Sequence, residues 1–183
     1  ARAYWRRRGL DDKTIVRFGL GYAPNDGQAL YQYLRDKGYN QQELDASGLF
    51  KRSQSGRIYC LFWKRVMTPI FDLRGNIIAF GGRVMDASKP KYVNSPETLV
   101  YHKSETVFAM QIAKRSASRR FVLCEGYMDV ISMQQAGIDT AVCACGTALT
   151  PGQVRIISEY ADEVILSYDS DEAGQKATLR SLE

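Results

Sequence analysis

The sequence is poor in the residues that build small metal and redox sites. It has one histidine, His102, and four cysteines, none of which forms a C-x-x-C pair. A tetrahedral zinc site needs Cys and His ligands at short spacings, which are absent here, and redox or metal chemistry at the cysteines is the alternative interpretation. Cys124, Cys143 and Cys145 stand in apolar runs, where cysteine acts as a small hydrophobic residue. This usage is typical of a protein in a reducing cytosol.

Long apolar runs are lacking as well. No stretch approaches the roughly 20 apolar residues that a membrane-spanning helix needs. No apolar segment follows the basic residues 1–8, as one would in a secretory signal. We therefore expect a cytoplasmic protein without a membrane segment. With 45% hydrophobic and 11% aromatic residues, the chain has enough apolar side chains for a packed core.

Charge is divided unevenly along the chain. Residues 1–103 contain 18 Lys and Arg against 9 Asp and Glu, a net charge of +9. Residues 104–183 contain 7 against 11, a net charge of −4. A basic half beside an acidic half is typical of a protein that holds a polyanion next to a cluster of carboxylates. A chance imbalance between two solvated surfaces is the alternative.

The pattern of apolar residues predicts an α/β protein in two parts. Residues 1–103 combine short helices with a strand hairpin at residues 66–80 and an irregular stretch at residues 86–103. The second part alternates strands, expected at 121–124, 140–144 and 163–168, with helices, expected at 127–135, 150–160 and 172–183. Such alternation with apolar strands predicts a parallel sheet covered on both faces. We therefore expect a basic α+β N-terminal subdomain, residues 1–103, and a parallel α/β subdomain, residues 104–183.

Acidic residues follow two of the predicted strands. Glu125 comes directly after the first strand of the second part, and Asp169 and Asp171 come after the third. Because the carboxyl ends of parallel strands meet at one rim, where α/β proteins bind ligands, we expect these carboxylates to lie close together. Hard cations such as Mg²⁺ prefer carboxylate oxygens and can support phosphoryl transfer. The alternative, that Asp171 and Glu172 cap a helix, stays open.

The segments around these acids resemble a known pattern. Glu125–Val130, Gly146–Thr150 and Tyr168–Gly174 together resemble the toprim domain in the form found in bacterial primases. The resemblance implies Mg²⁺-dependent chemistry at nucleic-acid phosphates, with Mn²⁺ as an alternative ion. It makes Asp129 a weaker candidate for a metal ligand, or an acidic residue at the N-terminus of a helix. It makes Glu125 a candidate general base. The metal ligands and catalytic residues that it implies are Glu125, Asp169 and Asp171.

The resemblance extends upstream, where it separates primases from other toprim enzymes. Segments resembling the catalytic core of bacterial replicative DNA primases occur in the right order, among them Phe80–Arg83 and, most specifically, Pro90–Thr98. In that family a groove facing the metals binds nucleic acid and nucleotide. Arginine and lysine can neutralise phosphates, asparagine can bond to sugar or phosphate, and tyrosine can stack on a base. The residues expected along this groove are Arg65, Arg83, Lys91, Tyr92, Asn94 and Lys103.

The resemblance implies a DNA-directed RNA polymerase, a nucleotidyltransferase that makes short RNA primers on single-stranded DNA for replication. Its expected partners are the template strand, ribonucleoside triphosphates and, through a region outside this chain, a replicative helicase of the primosome. Its expected place is the bacterial nucleoid, with no membrane contact. Other interpretations are another Mg²⁺-dependent toprim enzyme, such as a phage primase–helicase or a nuclease, and a non-catalytic nucleic-acid-binding module.

Two departures from the family pattern qualify these expectations. Primases usually have a polar, charged segment before the strand expected at residues 65–70, whereas this chain has the largely apolar segment Tyr59–Trp63. This difference puts a template contact from that segment in doubt. The zinc-binding N-terminal domain of primases, their later Asp-Pro-Asp strand and their helical subdomain have no counterpart here. We therefore expect a fragment of the core, truncated within the toprim domain and weakly active or inactive alone. Zinc is expected only in the domain outside this chain.

Overall fold

The structure is a computed structural model that describes residues 1–145 and 148–181. Residues 146–147, which belong to one toprim-like segment, and the last two residues of the helix expected over 172–183 lie outside the described residues. Two short helices open the chain, α1 (Arg2–Arg7) and α2 (Asp12–Arg17). The Asp11 carboxylate caps α2 by accepting the Thr14 N–H at 2.7 Å.

The basic half contains a four-stranded antiparallel sheet. Its elements along the chain are β1 (Gly21–Ala23), α3 (Ala29–Asp36), α4 (Gln41–Ala46), β2 (Phe50–Arg52), β3 (Ile58–Cys60), β4 (Arg65–Phe71), β5 (Ile77–Val84) and β6 (Tyr92–Asn94). The strand order in the large sheet is β1-β4-β5-β6, and β2 and β3 form a separate hairpin. The strand hairpin that the sequence predicts is present as β4 and β5, which pair along their whole length.

The acidic half contains a mixed sheet with a parallel centre. After a 3₁₀ turn (Lys103–Glu105) its elements are β7 (Val107–Phe108), α5 (Met110–Ala113), β8 (Arg120–Cys124), α6 (Tyr127–Gln135), β9 (Ala141–Ala144), α7 (Pro151–Ser158), β10 (Glu163–Ser167) and α8 (Glu172–Ser181). The strand order is β10-β8-β9-β7. Strand β8 runs parallel to both of its neighbours, and only β7 is antiparallel. The predicted α/β class is confirmed.

Four details of the prediction are wrong. The stretch expected to be irregular contains β6, and the second hairpin strand continues through Gly81 and Gly82 to Val84. The sheet expected to be purely parallel has β7 at one edge. It is not covered on both faces at β10, the opposite edge strand, where the consecutive residues Val164 and Ile165 point to opposite faces and are 40% and 43% exposed.

One apolar core joins the two halves. It combines residues of α1 and α2 with β4 and with the strands and helix of the parallel sheet; its members include Trp5, Phe18, Ile70, Tyr101 and Phe108. The boundary at residue 103 therefore separates two patterns of secondary structure that share a core, and it stays a prediction. All four cysteines are buried and free, as expected of small hydrophobic residues. Within the part of the chain that the structure describes, no helix is long and apolar enough to cross a membrane.

Candidate functional site

Two carboxylates lie together at the carboxyl ends of the parallel strands. Strand β8 pairs with β10 in a register that places Cys124 opposite Ser167, so Glu125 and Asp169 leave the sheet at the same rim. The Asp169 N–H donates to Oε2 of Glu125 at 3.1 Å. The parallel register thus brings together residues that are 44 positions apart.

The other two acids of this rim cap helices. The Asp171 carboxylate accepts the Gly174 N–H at 2.8 Å, at the start of α8. The Asp129 carboxylate accepts the Gly126 N–H at 3.1 Å, at the start of α6. Among the described residues no three His, Cys, Asp or Glu side chains are grouped closely enough to hold a metal. The role of Asp171 as a third ligand therefore stays a prediction.

The pair Glu125 and Asp169 still fits a hard cation. Mg²⁺ in phosphoryl-transfer sites is commonly bound by one or two carboxylates, and waters and substrate phosphates complete its coordination. Both carboxylates line the cleft described next, so a phosphate bound there could supply the remaining oxygens.

A cleft of about 480 Å³ lies between the carboxylate rim and the antiparallel sheet. The wall that carries Arg83 and Lys91, called the basic wall here, is built largely on one face of β5 and β6. Arg83 is paired with Tyr92 and Gly81 with Asn94, and residues two positions apart on a strand share a face. Six of the nine predicted site residues line this cleft: Arg83, Lys91, Tyr92, Asn94, Glu125 and Asp169.

The pair Gly81-Gly82 is required by packing on both faces of β5. A Cβ on Gly81 would lie 2.6 Å from Cε2 of Tyr127, the first residue of α6. A Cβ on Gly82 would lie 2.8 Å from Cδ1 of Phe62 on the opposite face. Real Cβ atoms essentially never come this close to another atom, so a side chain at either position would force the Tyr127 or the Phe62 ring to shift.

Arg83 is held between two tyrosines. Its Nε–H donates to the Tyr92 hydroxyl at 3.0 Å and its Nη1–H to the Tyr4 hydroxyl. The guanidinium carbon also lies 5.6 Å from the Tyr4 ring centroid and 5.5 Å from that of Tyr92. The Lys91 ammonium lies 5.7 Å from the Tyr92 ring centroid. Distances of this size are within the range of cation–π attraction.

Arg65 does not line the cleft. It alternates with Val66 along β4, so its side chain lies on the face opposite Arg83, where it is 7% exposed. Its guanidinium donates to the carbonyls of Pro90 at 2.9 Å and Lys91 at 3.3 Å. Burial lowers the pKa of this guanidinium, and the Asp86 carboxylate opposes the shift. Arg65 therefore supports the loop that carries Lys91, and its role in binding stays a prediction.

Lys103 does not line the cleft. Its N–H donates to the Glu97 carboxylate at 3.1 Å, and its carbonyl accepts from Gln153 at 2.7 Å. Burial raises the pKa of the Cys145 thiol to about 11, and the positive charge of Lys103 is among the groups that oppose this rise. The role of Lys103 in binding therefore stays a prediction.

Sequence reasoning missed the contribution of α1. Trp5 and Arg8 line the cleft, and Tyr4 contacts Arg83. The segment at residues 4–8, in which two aromatic residues precede three arginines, carries the signal that could have indicated it, because single-stranded nucleic-acid sites combine aromatic and basic side chains.

The comparisons with known proteins agree with this geometry. The family model described as "DNA primase catalytic core, N-terminal domain" matches residues 1–114, and the model described as "Toprim-like" matches residues 122–183. A DNA primase of Clostridium acetobutylicum is 44% identical over 184 residues, which is 100% of this chain and 31% of that protein. The chain thus spans about a third of the length of the curated relatives that it matches.

Solved structures show the same fold. A DNA primase domain from Pseudomonas aeruginosa superposes with a TM-score of 0.90 at 39% identity and covers 98% of this chain and 57% of that one. A DnaG primase catalytic domain bound to single-stranded DNA superposes with a TM-score of 0.89 at 38% identity. That match covers 99% of this chain and 59% of the other.

Proposed function

This chain belongs to the DNA primase family, through the N-terminal domain of the catalytic core and a toprim-like domain, and we propose that it forms part of a DNA-directed RNA polymerase that makes primers on single-stranded DNA. The observation that carries the proposal is the single cleft lined by Glu125 and Asp169 on one side and by Arg83 and Lys91 on the other. Nucleotidyl transfer needs both halves of this arrangement, since it must bind phosphates and stabilise charge that develops on them.

The reaction joins two ribonucleotides on the template. The 3′-hydroxyl oxygen of one attacks the α-phosphorus of the next. The bond between that phosphorus and the oxygen bridging to the β-phosphate breaks, and pyrophosphate leaves. The hydroxyl proton is lost, with Glu125 as candidate base. Mg²⁺ bound at Glu125 and Asp169 would supply Lewis-acid stabilisation of the phosphate oxygens.

The basic wall binds the substrates in this proposal. Arg83 and Lys91 neutralise phosphates of template or nucleotide, and Asn94 can bond to a sugar or a phosphate. The Tyr92 ring, which is 51% exposed, offers a face on which a base can stack. A similar primase catalytic domain has been seen with single-stranded DNA, which supports that strand as the template here.

The rest of the machinery lies in regions outside this chain. We place there the contact with a replicative helicase and the zinc-binding domain, and we place the whole protein in the bacterial cytoplasm at the nucleoid. The chain alone is expected to be weakly active or inactive.

Primer synthesis tests the proposal. The full-length protein that contains this chain is incubated with single-stranded DNA, ribonucleotides and Mg²⁺, and RNA products are resolved by length. Glu125→Gln should abolish synthesis, because it removes the negative charge that would bind the metal ion. The glutamine side chain keeps the shape of the glutamate. Glu163→Gln is the matched control, since this exposed carboxylate pairs with Arg120 at the opposite end of the same strands.

Each outcome decides between the interpretations. Synthesis by the unaltered protein that is lost with Glu125→Gln supports the polymerase. No synthesis on several templates, with Mn²⁺ as well as Mg²⁺, contradicts it. Binding of single-stranded DNA without synthesis would then favour a nucleic-acid-binding module, and cleavage of the DNA would favour a nuclease.

A further inference from the structure

The donors of Arg83 are unequally occupied. A guanidinium has five N–H donors. Nε donates to Tyr92 at 3.0 Å, and Nη1 donates to Tyr4 and, at 3.4 Å, to the carbonyl of Val84. Nη2 makes no hydrogen bond to any of the described residues. The donors that remain for a ligand are therefore those on Nη2, and the direction in which they point depends on how the other two nitrogens are held.

The two tyrosines that hold Arg83 differ in how firmly they are fixed. Tyr4 is 8% exposed, belongs to the main core and packs edge-to-face against Trp5, with ring centroids 5.2 Å apart. Tyr92 is 51% exposed and lies on the edge strand β6. A ligand can displace the hydroxyl of an exposed tyrosine, whereas Tyr4 cannot move without disturbing the core. Tyr4 is thus the fixed member of the pair.

We propose that Tyr4 is a positioning residue, which holds the Arg83 guanidinium with Nη2 directed toward a phosphate in the cleft. An arginine side chain loses considerable rotamer freedom when it is ordered, so an arginine that is already held binds a phosphate at a lower entropic cost. Tyr4 contributes both the ring beneath the guanidinium and the hydroxyl that receives Nη1–H. The inference rests on the proposed function, because it assumes that the cleft binds phosphates of nucleic acid or nucleotide.

Tyr4→Phe in the full-length protein tests the inference, since it keeps the ring and removes only the hydroxyl. Dissociation constants are measured by fluorescence anisotropy for labelled oligo-dT and, in a separate experiment, by competition with ATP. Loss of a hydrogen bond from a charged donor should weaken phosphate binding about tenfold. In an Arg83→Gln background the same change should have no further effect, because nothing is left to position.

A matched control separates positioning from a general loss of structure. Tyr31→Phe removes another tyrosine hydroxyl that donates a hydrogen bond, to Gln41 at 2.7 Å, on residues that do not line the cleft. It should leave both dissociation constants unchanged. Thermal unfolding of each variant shows whether the fold is kept.

The outcomes that overturn the inference are distinct from those that overturn the proposed function. Unchanged binding by Tyr4→Phe, or an equal loss with and without Arg83, shows that Tyr4 does not act through Arg83. Unchanged binding by Arg83→Gln overturns it as well, since Arg83 then contacts no phosphate. A loss for oligo-dT alone assigns Arg83 to the template strand, and a loss for ATP alone assigns it to the triphosphate; both support positioning. Primer synthesis that depends on Glu125 can survive any of these results.

Discussion

Tyr92 has two parts that a ligand could use, and they can be separated by substitution. Its ring is half exposed above the cleft, and its hydroxyl accepts a hydrogen bond from Arg83. Stacking of a base on an aromatic ring contributes about 1–3 kcal/mol by alanine substitution. Tyr92→Ala should therefore weaken oligo-dT binding by about 5- to 150-fold. Tyr92→Phe keeps the stacking face and should bind nearly as well as the unaltered protein; an equal loss in the two variants would assign the contribution to the hydroxyl instead.

Gly81 gives a prediction about stability rather than binding. A methyl group there would press on the Tyr127 ring, and overpacking in a core costs about 1–3 kcal/mol. Gly81→Ala should lower the free energy of unfolding by this amount in urea titrations. Gly21→Ala is the control in the same sheet, because its Cβ would find no atom closer than 3.9 Å. If the two variants unfolded alike, close approach to Tyr127 would not be the reason for the glycine.

At the residue scale, the sequence indicated the carboxylates better than the cations. Glu125 and Asp169 could be placed together because parallel strands end at one rim. The position of Arg65 could not be foreseen, since it depends on the register of β4 and on which of its two faces meets the cleft. Tyr4 was missed because its contact with Arg83 joins residues 79 positions apart, a separation at which local periodicity carries no information.

The hairpin between β4 and β5 depends on one carboxylate. Asp72 accepts the N–H groups of Arg74 and Asn76, each at 2.8 Å, and the Asn76 amide at 2.9 Å. The hydrogen bond from the Asn76 side chain is the largest cause that lowers the pKa of Asp72. The backbone N–H groups lower this pKa further, whereas partial burial raises it. The hairpin carries Gly81 and Arg83 into the cleft wall, so its stability bears on the site.

Asp72→Ala should therefore destabilise the fold in a pH-dependent way. Loss of these hydrogen bonds should cost about 1 kcal/mol at neutral pH. Because the folded pKa of Asp72 lies below the unfolded value of about 3.9, its contribution is fully present above that value and is lost as pH falls through the folded pKa. Urea unfolding at pH 7 and at decreasing acid pH should show the difference from the unaltered protein shrinking. Glu159→Ala, which removes an exposed carboxylate outside this hairpin, is the control and should change the free energy of unfolding at pH 7 by less than about 0.5 kcal/mol.

At the element scale, predictability follows strand length and apolar content. The strands of the parallel sheet were predicted close to their observed bounds because each is a run of apolar residues between turn signals. Strands β6 and β7 were missed because segments of three and two residues are too short to show a periodic pattern. They form only because they pair with strands elsewhere in the chain. The extension of β5 through two glycines was missed because glycine disfavours strands unless, as here, packing excludes any side chain.

The whole molecule places opposite charges on facing walls of one cleft. The net charge of +9 on residues 1–103 and of −4 on residues 104–183 is a property of the sequence, but only the shared core determines that the two surfaces face each other. Six predicted site residues then meet in a single cleft although they come from four separate segments of the chain. The basic wall alone would attract a polyanion, and the carboxylate rim alone would repel it. Together they favour a phosphate group whose negative charge is partly neutralised by a cation bound at the carboxylates.

The last prediction concerns the salt dependence of binding. For single strands, the logarithm of the observed association constant falls with the logarithm of salt concentration by about 0.7 for each phosphate contact. Lys91 lines the cleft, so Lys91→Gln should make the slope for oligo-dT shallower by about 0.7. Lys13→Gln removes the same charge from an exposed position on α2 that does not line the cleft, and it should leave the slope unchanged. Equal changes in both variants would show that the strand responds to the overall basic charge of the N-terminal half. A change confined to Lys91 would assign a phosphate contact to the cleft itself.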